Sequence, residues 1–368
     1  MLRTLVMLGL LAWPALAPVP ALAQEVDYVP HFRVFTGAGE PATLADIVRA
    51  MASVDVIYVG EAHTDPVGHW IEAELVRGAL ASISTTGAGS RPFALSLEMF
   101  ERDVQGIVDE YLQGLITEEQ FRSNGRAWEY YATDYRPLVE SAKAAGVPVI
   151  AANAPRRYVN RVSRLGKEAL GDLPASARSF LPPLPYTGPS EAYRRDWLAL
   201  MADMPMQPRC VPPAGQPAAP RPATPDSLAR PAQRPATDSP AQPPHAPPKA
   251  PAAMPSHSAA FMENGLQSQS LWDTSMAHSI TTFLASHPGA LVLHVVGAFH
   301  VAHARGIPEQ VQGYRAETRG LVVSMAPADD FRTFNRDEHS GLGDFVILTD
   351  QSLDLDYQRN CVDKRPGN

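Results

Sequence analysis

Two histidines each follow a glycine that ends an apolar, β-branched run. The first run ends as Gly60-Glu61-Ala62-His63, and the second, far downstream, ends as Gly297-Ala298-Phe299-His300. A buried strand that stops at glycine places the next side chains at the carboxyl edge of a sheet, where open α/β folds build their sites. The two Gly-x-x-His ends are therefore candidates for one shared pocket.

A second acid joins this set because Glu98 lies near the end of the apolar run 92–100. Imidazole and carboxylate groups together suit a divalent ion of the manganese or zinc type, and an open coordination position would activate water for hydrolysis. We predict Glu61, His63 and His300 as the ligands of such a metal. With Glu98 they form the predicted catalytic set if the chain is a hydrolase.

A simpler structural role is the alternative for these side chains. Glu98 and Asn153 could cap the helices that follow them. The spacing also differs from that of the helical His-Glu-x-x-His metal site. For an isolated histidine, a hydrogen-bonded position at a strand end is the more common role. We favour that role for three further histidines: His69, His294 and His303.

Aromatic residues suggest a different chemistry. Trp128, Tyr130, Tyr131 and Tyr135 are clustered, and Tyr186 and Tyr193 lie in a later helical region. Flat apolar cofactors need aromatic surfaces, and phenolate is a haem-iron ligand, although ordinary packing explains most such clusters. The absence of Cys-x-x-Cys-His excludes covalent haem attachment. A glycine-rich phosphate loop and a Gly-x-Ser-x-Gly nucleophile motif are also absent from the sequence.

Strand and helix patterns alternate along the chain, which predicts an α/β fold with a mainly parallel sheet flanked by helices. Strands are predicted at 55–59, 92–100, 147–152, 290–296, 320–325 and 344–348. Helices are predicted at 44–52, 67–81, 102–112, 135–145 and 267–285, and a capping box at Thr117 and Gln120 begins another. Residues 24–45 are predicted to be an extended lead-in.

Shifts in composition divide the chain. Residues 157–204 have mostly helical patterns without strand runs, and the proline-rich segment at 205–256 is predicted to be disordered. The α/β core is predicted at 24–156 and 266–350, with a signal peptide at 1–23 and an irregular tail at 351–368.

Charge and the N-terminal pattern limit the partners and the compartment. A formal net charge of −8 argues against nucleic-acid binding, which needs a basic surface. The segment 1–23 has the pattern of a cleaved secretory signal and is too short and too interrupted by proline to span a membrane. No cysteine lies near the cleavage site, so a periplasmic, unanchored protein is expected. Cys210 and Cys361 are expected to form a disulfide or to remain free thiols.

Several motifs, in order, resemble those of the ChaN-type haem-binding uptake proteins of the Tiki and erythromycin-esterase-like superfamily. They cover roughly residues 50–330 outside the proline-rich insert. They are Gly60-Glu61-Ala62-His63, Leu97-Glu98-Met99-Phe100, Asp134-Tyr135-Arg136-Pro137-Leu138, Ala151-Ala152-Asn153-Ala154-Pro155-Arg156, Gln269-Ser270-Leu271-Trp272-Asp273-Thr274-Ser275-Met276-Ala277 and Gly297-Ala298-Phe299-His300-Val301.

The resemblance implies a small helical domain beside the α/β core, placed here at 157–265 and containing the proline-rich insert. It also implies an envelope protein that takes part in haem-iron uptake and binds non-covalent haem at the interface of a haem-dependent homodimer. An outer-membrane haem receptor system is a further implied partner. A tyrosine would bind the iron, with Tyr193 first and Tyr186 second. His257 would contact the propionates, and Arg194 or Arg195 would bind them in place of the lysine that the family uses. Lys249 is the only lysine near this region. The same superfamily contains metal-dependent hydrolases, so a hydrolase that uses the strand-end set is the alternative.

Overall fold

The computed structural model describes residues 27–83, 91–203 and 259–353. Within these ranges the chain forms one eight-stranded sheet flanked by helices. The strands are Phe32–Thr36 (β1), Pro41–Ala42 (β2), Val56–Glu61 (β3), Phe93–Glu101 (β4), Val149–Asn153 (β5), Leu291–Gly297 (β6), Gly320–Ala328 (β7) and Phe345–Asp350 (β8). The helices are Leu44–Ala50 (α1), Pro66–Ser82 (α2), Gln105–Leu112 (α3), Glu118–Asn124 (α4), Arg136–Ala145 (α5), Arg156–Leu165 (α6), Ala175–Arg178 (α7), Glu191–Asp203 (α8), Ala259–Ser286 (α9), Ile307–Tyr314 (α10) and Arg336–His339 (α11).

The strand order is β2-β1-β8-β7-β3-β6-β4-β5. Strands β8, β7, β3, β6, β4 and β5 are parallel, and β1 joins the edge antiparallel to β8 and β2. Strands β3 and β6 lie side by side and are buried at every position, as expected for central strands with both faces covered. The predicted α/β class with a mainly parallel sheet flanked by helices is confirmed.

Alternation along β3 decides which helices each side chain meets. Ile57 and Val59 pack in the core beneath α1, α2 and α5. Val56 and Tyr58 pack on the opposite face, in the core formed with α9 and α10. Because side chains alternate between the two faces of a strand, Glu61 belongs to the α2 face.

Local sequence signals explain several element boundaries. The Thr117 hydroxyl accepts the amide hydrogen of Gln120, whose side chain accepts the amide hydrogen of Thr117 in return. This is the predicted capping box. Helix α5 ends at Gly146, which adopts φ of 65°, a conformation that favours glycine. Helix α9 is longer than its predicted span and reaches β5, α6 and α10, so it contacts both the sheet and the helical region.

The lead-in at 24–45 differs from its prediction. Part of it forms β1, which pairs with β8 over five residue positions, because the edge of the parallel sheet offers unpaired backbone groups. The signal peptide at 1–23, the insert at 205–256, His257, both cysteines and tail residues 354–368 lie outside the described residues. The separate helical domain at 157–265 stays a prediction. Of the helices in the described ranges, none is both long and apolar enough to cross a membrane.

Candidate functional site

The two Gly-x-x-His ends converge, as the sequence predicted. Strand β3 pairs with β6 in parallel, and Glu61 lies opposite Gly297 in the register. The chain leaves both strands at the same edge of the sheet, so His63 and His300 face a common region. Glu98 lies between them, because its Oε1 is 3.8 Å from Nε2 of His300 and a Cβ atom on Gly297 would lie within 3.7 Å of both Glu98 and His63.

Each glycine makes room for the other motif. A Cβ atom on Gly60 would lie 2.9 Å from the Cα of Ala298 and 2.8 Å from a methyl group of Val301. A Cβ atom on Gly297 would lie 3.0 Å from Nε2 of His63 and 3.7 Å from Oε2 of Glu98. Neither glycine has a positive φ. Close approach of the two segments, and not backbone conformation, therefore favours glycine at both positions, most strictly at Gly60, where the contact is with backbone.

His63 presents one ring nitrogen to the cleft. Its Nδ1 lies 2.7 Å from Oε1 of Glu61, and because a carboxylate only accepts, a proton is on Nδ1. In the neutral ring Nε2 is then the acceptor. The side chain is 41% exposed and its ring meets Trp128 edge-on at 5.1 Å. Burial would lower the pKa of His63, but the Glu61 carboxylate outweighs burial and raises it.

Glu61 holds His63 from a buried position. Its Oε1 also accepts the hydroxyl proton of Tyr135 at 2.8 Å, while its Oε2 lies 3.0 Å from Nε2 of His69. Burial would raise the pKa of Glu61, but its contacts with His63 and His69 lower it well below the usual range. The carboxylate is therefore ionised and fixes the orientation of the His63 ring.

His300 has a different environment. It is buried, its Nδ1 contacts Oδ1 of Asp273 on α9, and its Nε2 lies 3.8 Å from Oε1 of Glu98. The side-chain amide of Gln269 lies 3.2 Å from Nε2. Burial alone would lower the pKa of His300, but Asp273 and Glu98 raise it to about 9. At neutral pH this ring is a buried imidazolium.

Glu98 spans the two sides of the cleft. Its Oε2 accepts the backbone N–H of Gly297 at 2.8 Å, which ties β4 to the end of β6. The pairing of β4 with β5 is irregular between Leu97 and Glu101, where such irregularities re-aim side chains next to sites. The observed contacts of Glu98 are therefore with His300 and Gly297, and not with the backbone amides of the helix that follows β4.

The three further histidines divide into two groups. His294 is fully buried with Nδ1 2.9 Å from the Ser96 hydroxyl, and burial lowers its pKa to about 3. His303 lies at the surface with Nδ1 3.0 Å from the Gly341 carbonyl. Both hold structural positions. His69, by contrast, lies against Glu61 within the site.

A buried carboxylate–histidine cluster lies behind His63 and consists of Glu61, His69 and Glu72. One potential ligand atom from each residue lies within 4.8 Å of the others. Among the described residues, the predicted metal set of Glu61, His63 and His300 does not form such a group. Burial and the neighbouring Glu61 carboxylate raise the pKa of Glu72 far above its usual range.

With the geometry described, comparison with known proteins identifies the family. A family model described as haem-binding uptake, Tiki superfamily, ChaN, matches residues 47–311. The chain belongs to this family. Comparison with curated proteins gives no match.

The chain is also similar to solved structures. ChaN of Campylobacter jejuni, described as binding haem cofacially, is 14% identical with a TM-score of 0.56, covering 87% of this chain and 98% of that one. The type III effector HopBA1 is 11% identical with a TM-score of 0.39, covering 83% and 93%. A mutant erythromycin esterase, EreC, in its open conformation is 10% identical with a TM-score of 0.38, covering 80% and 77%.

The ChaN-type haem residues predicted from the sequence lie in the helical region. Tyr193 is buried on α8 against Phe299, with ring centroids 5.0 Å apart. Burial, together with the nearby Asp273 carboxylate, raises the pKa of Tyr193 well above its usual value. The buried Tyr186 hydroxyl donates to the Gln267 carbonyl at 2.8 Å. Neither hydroxyl reaches solvent in this conformation. Which tyrosine binds iron therefore stays a prediction.

Arg194, the predicted propionate contact, lies on the outer face of α8. Its two terminal nitrogens donate to the two oxygens of Glu263 at 2.8 and 3.2 Å. A propionate at this position would compete with Glu263 for the guanidinium. His257, the other predicted contact, lies outside the described residues.

Sequence reasoning missed three members of the site, namely Asp273, Gln269 and Tyr135. All three stand in the ChaN-type motifs quoted above. Asp273 and Gln269 are four residues apart on α9 and therefore share a helix face. Helix α9 buries several other polar side chains, so this spacing alone does not identify the pair as part of a site.

Proposed function

We propose that this chain is a haem-binding protein of the cell envelope that takes part in haem-iron uptake. The observation that carries the proposal is the family match over residues 47–311. The fold similarity over 98% of ChaN of Campylobacter jejuni supports it. The same proposal includes export through the predicted signal at 1–23, a haem-dependent homodimer and an outer-membrane receptor as partner.

The proposed haem surface is the outer face of α8 and the start of α9. Arg194 and Leu198 are four residues apart and share a face of α8, and Leu198 is 43% exposed. Phe261 on α9 is 53% exposed. Large exposed apolar side chains beside a guanidinium suit a flat apolar ligand that carries carboxylates.

Hemin titration of the metal-free chain tests this function. We expect a saturable Soret band, and a larger hydrodynamic mass on gel filtration when hemin is bound. Tyr193→Phe is expected to alter the spectrum if Tyr193 reaches the iron, and Tyr186→Phe if the second tyrosine does. Tyr314→Phe is the control, because Tyr314 is 38% exposed on α10, away from the proposed surface. Absence of any saturable spectral change would overturn the haem function.

A second candidate function has its own observation, namely the two histidine–carboxylate pairs at one sheet edge. Glu61 accepts a hydrogen bond from Nδ1 of His63, so the neutral ring has Nε2 as a proton acceptor, while Asp273 and Glu98 keep His300 positively charged. Neighbouring titratable groups in different environments are typical of acid–base sites. A hydrolase would use His63 as the base, and His300 with Glu98 to orient and stabilise the reacting group.

A metal ion bound by Glu61, His63 and His300 would supply a water of lowered pKa to the same reaction. Nε2 of His63 is available for such an ion, but Oε1 of Glu61 is already held by His63 and Tyr135. The metal-dependent form of the hydrolase therefore needs Oε2 of Glu61 or a rearranged carboxylate.

Hydrolysis of a generic ester, p-nitrophenyl acetate, and of an unstructured peptide tests this candidate. His63→Gln and His300→Gln are each expected to reduce the rate by at least 100-fold, the scale of general acid–base contributions. His287→Gln is the matched control, since His287 lies at the end of α9, before β6 begins and hence at the opposite edge of the sheet. Rates that are equal in His63→Gln and in the unmodified chain would exclude the hydrolase.

A further inference from the structure

The buried carboxylate–histidine cluster has more polar atoms than hydrogen bonds. Glu72 is 0% exposed, Glu61 2% and His69 4%. Five atoms of these residues are buried without a geometrically formed hydrogen bond: Oε2 of Glu61, both ring nitrogens of His69 and both carboxylate oxygens of Glu72. Of these, Oε2 of Glu61 and Nε2 of His69 lie 3.0 Å apart as an ion pair. Unsatisfied buried polar groups are rare and costly, so a group of five in one place needs an explanation.

The fold aims these side chains at one another. Alternation along β3 sends Glu61 to the α2 face, and His69 and Glu72 are three residues apart on α2, on one side of the helix. The three residues thus connect the central strand to the helix that covers it. No apolar packing requirement explains a carboxyl group at position 72.

A proton shared between the two carboxyl groups is the first explanation to consider. Protonated Glu72 can donate to Glu61, which satisfies one oxygen on each residue. Nε2 of His69 keeps its ion pair with Oε2 of Glu61, but Nδ1 of His69 and the second oxygen of Glu72 are left without a hydrogen bond. The shared proton therefore explains only part of the cluster.

We propose that Glu61, His69 and Glu72 bind one divalent transition-metal ion of the zinc, manganese or iron class. One imidazole and two carboxylates are ligands that these ions prefer. The three potential ligand atoms lie within 4.8 Å of one another. Bond lengths of about 2.0–2.2 Å would require them to move only slightly closer together around one ion. The ion would neutralise two buried carboxylates at once.

The surroundings of the cluster match those of protein metal sites. A metal-bound histidine usually directs its second nitrogen to a carboxylate. Here Nε2 of His69 lies 3.0 Å from Glu61, while Nδ1 lies 3.6 Å from Oδ1 of the buried Asp134. Oε1 of Glu61 is similarly held by Tyr135 at 2.8 Å. A further buried oxygen without a partner, Oδ2 of Asp65, lies at the start of α2.

This ion would have a structural and positioning role. The cluster is closed to solvent, so a substrate does not reach it, and the ion would hold α2 against β3. It would also fix Glu61, whose other oxygen orients His63. The proposal does not depend on haem binding or on hydrolysis.

Metal content is the test. The full chain, without a histidine tag, is treated with a chelator and then titrated separately with ZnCl₂ and MnCl₂. We expect close to one ion per chain by elemental analysis, and a melting temperature raised by about 5 °C or more at saturating metal. Glu72→Gln and His69→Gln are expected to lose both effects. His63→Gln and His300→Gln are the matched controls and are expected to keep them.

The outcomes separate this site from the strand-end metal set. Loss of the ion in His63→Gln or His300→Gln, with retention in Glu72→Gln, would overturn the proposal in favour of the strand-end set. An unmodified chain that binds neither metal would overturn it outright. Glu72→Gln preserves side-chain shape and a donor to Glu61. If this variant still fails to fold, hydrogen exchange of the unmodified chain is the deciding measurement. Zinc is expected to slow amide exchange in α2 and β3, and unchanged exchange there would overturn the proposal.

Discussion

The two Gly-x-x-His ends have the same spacing but opposite environments. His63 is 41% exposed and contacts Glu61, the last residue of the strand before it. His300 is 8% exposed and contacts Asp273, which lies on a helix 27 residues earlier in the sequence. The first ring offers a free nitrogen to the cleft, and the second is a buried cation. Chemistry at this sheet edge is therefore set by the partner that each ring meets and not by the motif.

The difference also separates local from long-range determinants. Glu61 and His63 are two residues apart, so their pairing is encoded within one turn of chain. Asp273 reaches His300 only because α9 packs across the sheet. Perturbing the His300 side is therefore expected to affect the whole fold, while perturbing the His63 side is expected to affect mainly the cleft.

Breaking the Asp273–His300 pair is expected to have the largest effect. Asp273→Asn removes the carboxylate that keeps the buried imidazolium charged, and such losses cost about 3 kcal/mol or more of unfolding free energy. The pKa of His300 should fall from about 9. Urea denaturation and NMR titration measure both effects. A double-mutant cycle with His300→Gln measures the coupling energy between Asp273 and His300. A coupling energy near zero would contradict a stabilising interaction between them.

Alkaline pH provides a second way to remove the charge of His300. Its folded pKa of about 9 is above the usual value of about 6.5, so its stabilisation is complete below pH 6.5 and is lost as pH rises through 9. The expected loss is on the order of 3 kcal/mol. His63 and His69 also have raised pKa values and add to the slope. The unfolding free energy is therefore measured against pH for the unmodified chain and for His300→Gln. Identical pH profiles would contradict the assignment of this pH dependence to His300.

The sequence predicted the convergence of the two motifs because buried β-branched runs ending in glycine define parallel strands and their edge. It also predicted the Thr117 capping box, which is encoded within four residues. Asp273 and Glu72 were not predicted as site residues. Helices α2 and α9 are buried on most sides, so periodicity gives no way to distinguish a buried carboxylate from one on a solvated face.

Strand β1 illustrates the same limit for the fold. Its pairing partner β8 is more than 300 residues away in sequence, and nothing within 24–45 specifies that pairing. Edge strands form where a neighbouring strand leaves backbone groups unpaired. A single local pattern cannot reveal that requirement, because it belongs to the assembled sheet.

The same substitution, glycine to alanine, can be made in both motifs and its effects on stability compared. Gly60→Ala places a methyl group 2.9 Å from the Cα of Ala298, and a backbone atom cannot move away cheaply, so we expect a loss of about 1–3 kcal/mol. In Gly297→Ala the methyl group meets the His63 ring at 3.0 Å, and this half-exposed ring can shift. Thermal denaturation should rank Gly60→Ala as the more damaging variant, and the reverse order would contradict the interpretation.

The smallest expected effect on stability belongs to His63→Gln. His63 is half-exposed, and Glu61 keeps the Tyr135 hydroxyl as a donor to the same oxygen, so removing the imidazole leaves no carboxylate without a partner. We expect a change in unfolding free energy of less than about 1 kcal/mol, measured by urea denaturation. His69→Gln, which removes a buried ring from the other oxygen of Glu61, is the comparison and should cost more. A large loss in His63→Gln alone would mean that the exposed ring supports the fold. The two histidine ends would then differ in exposure but not in role.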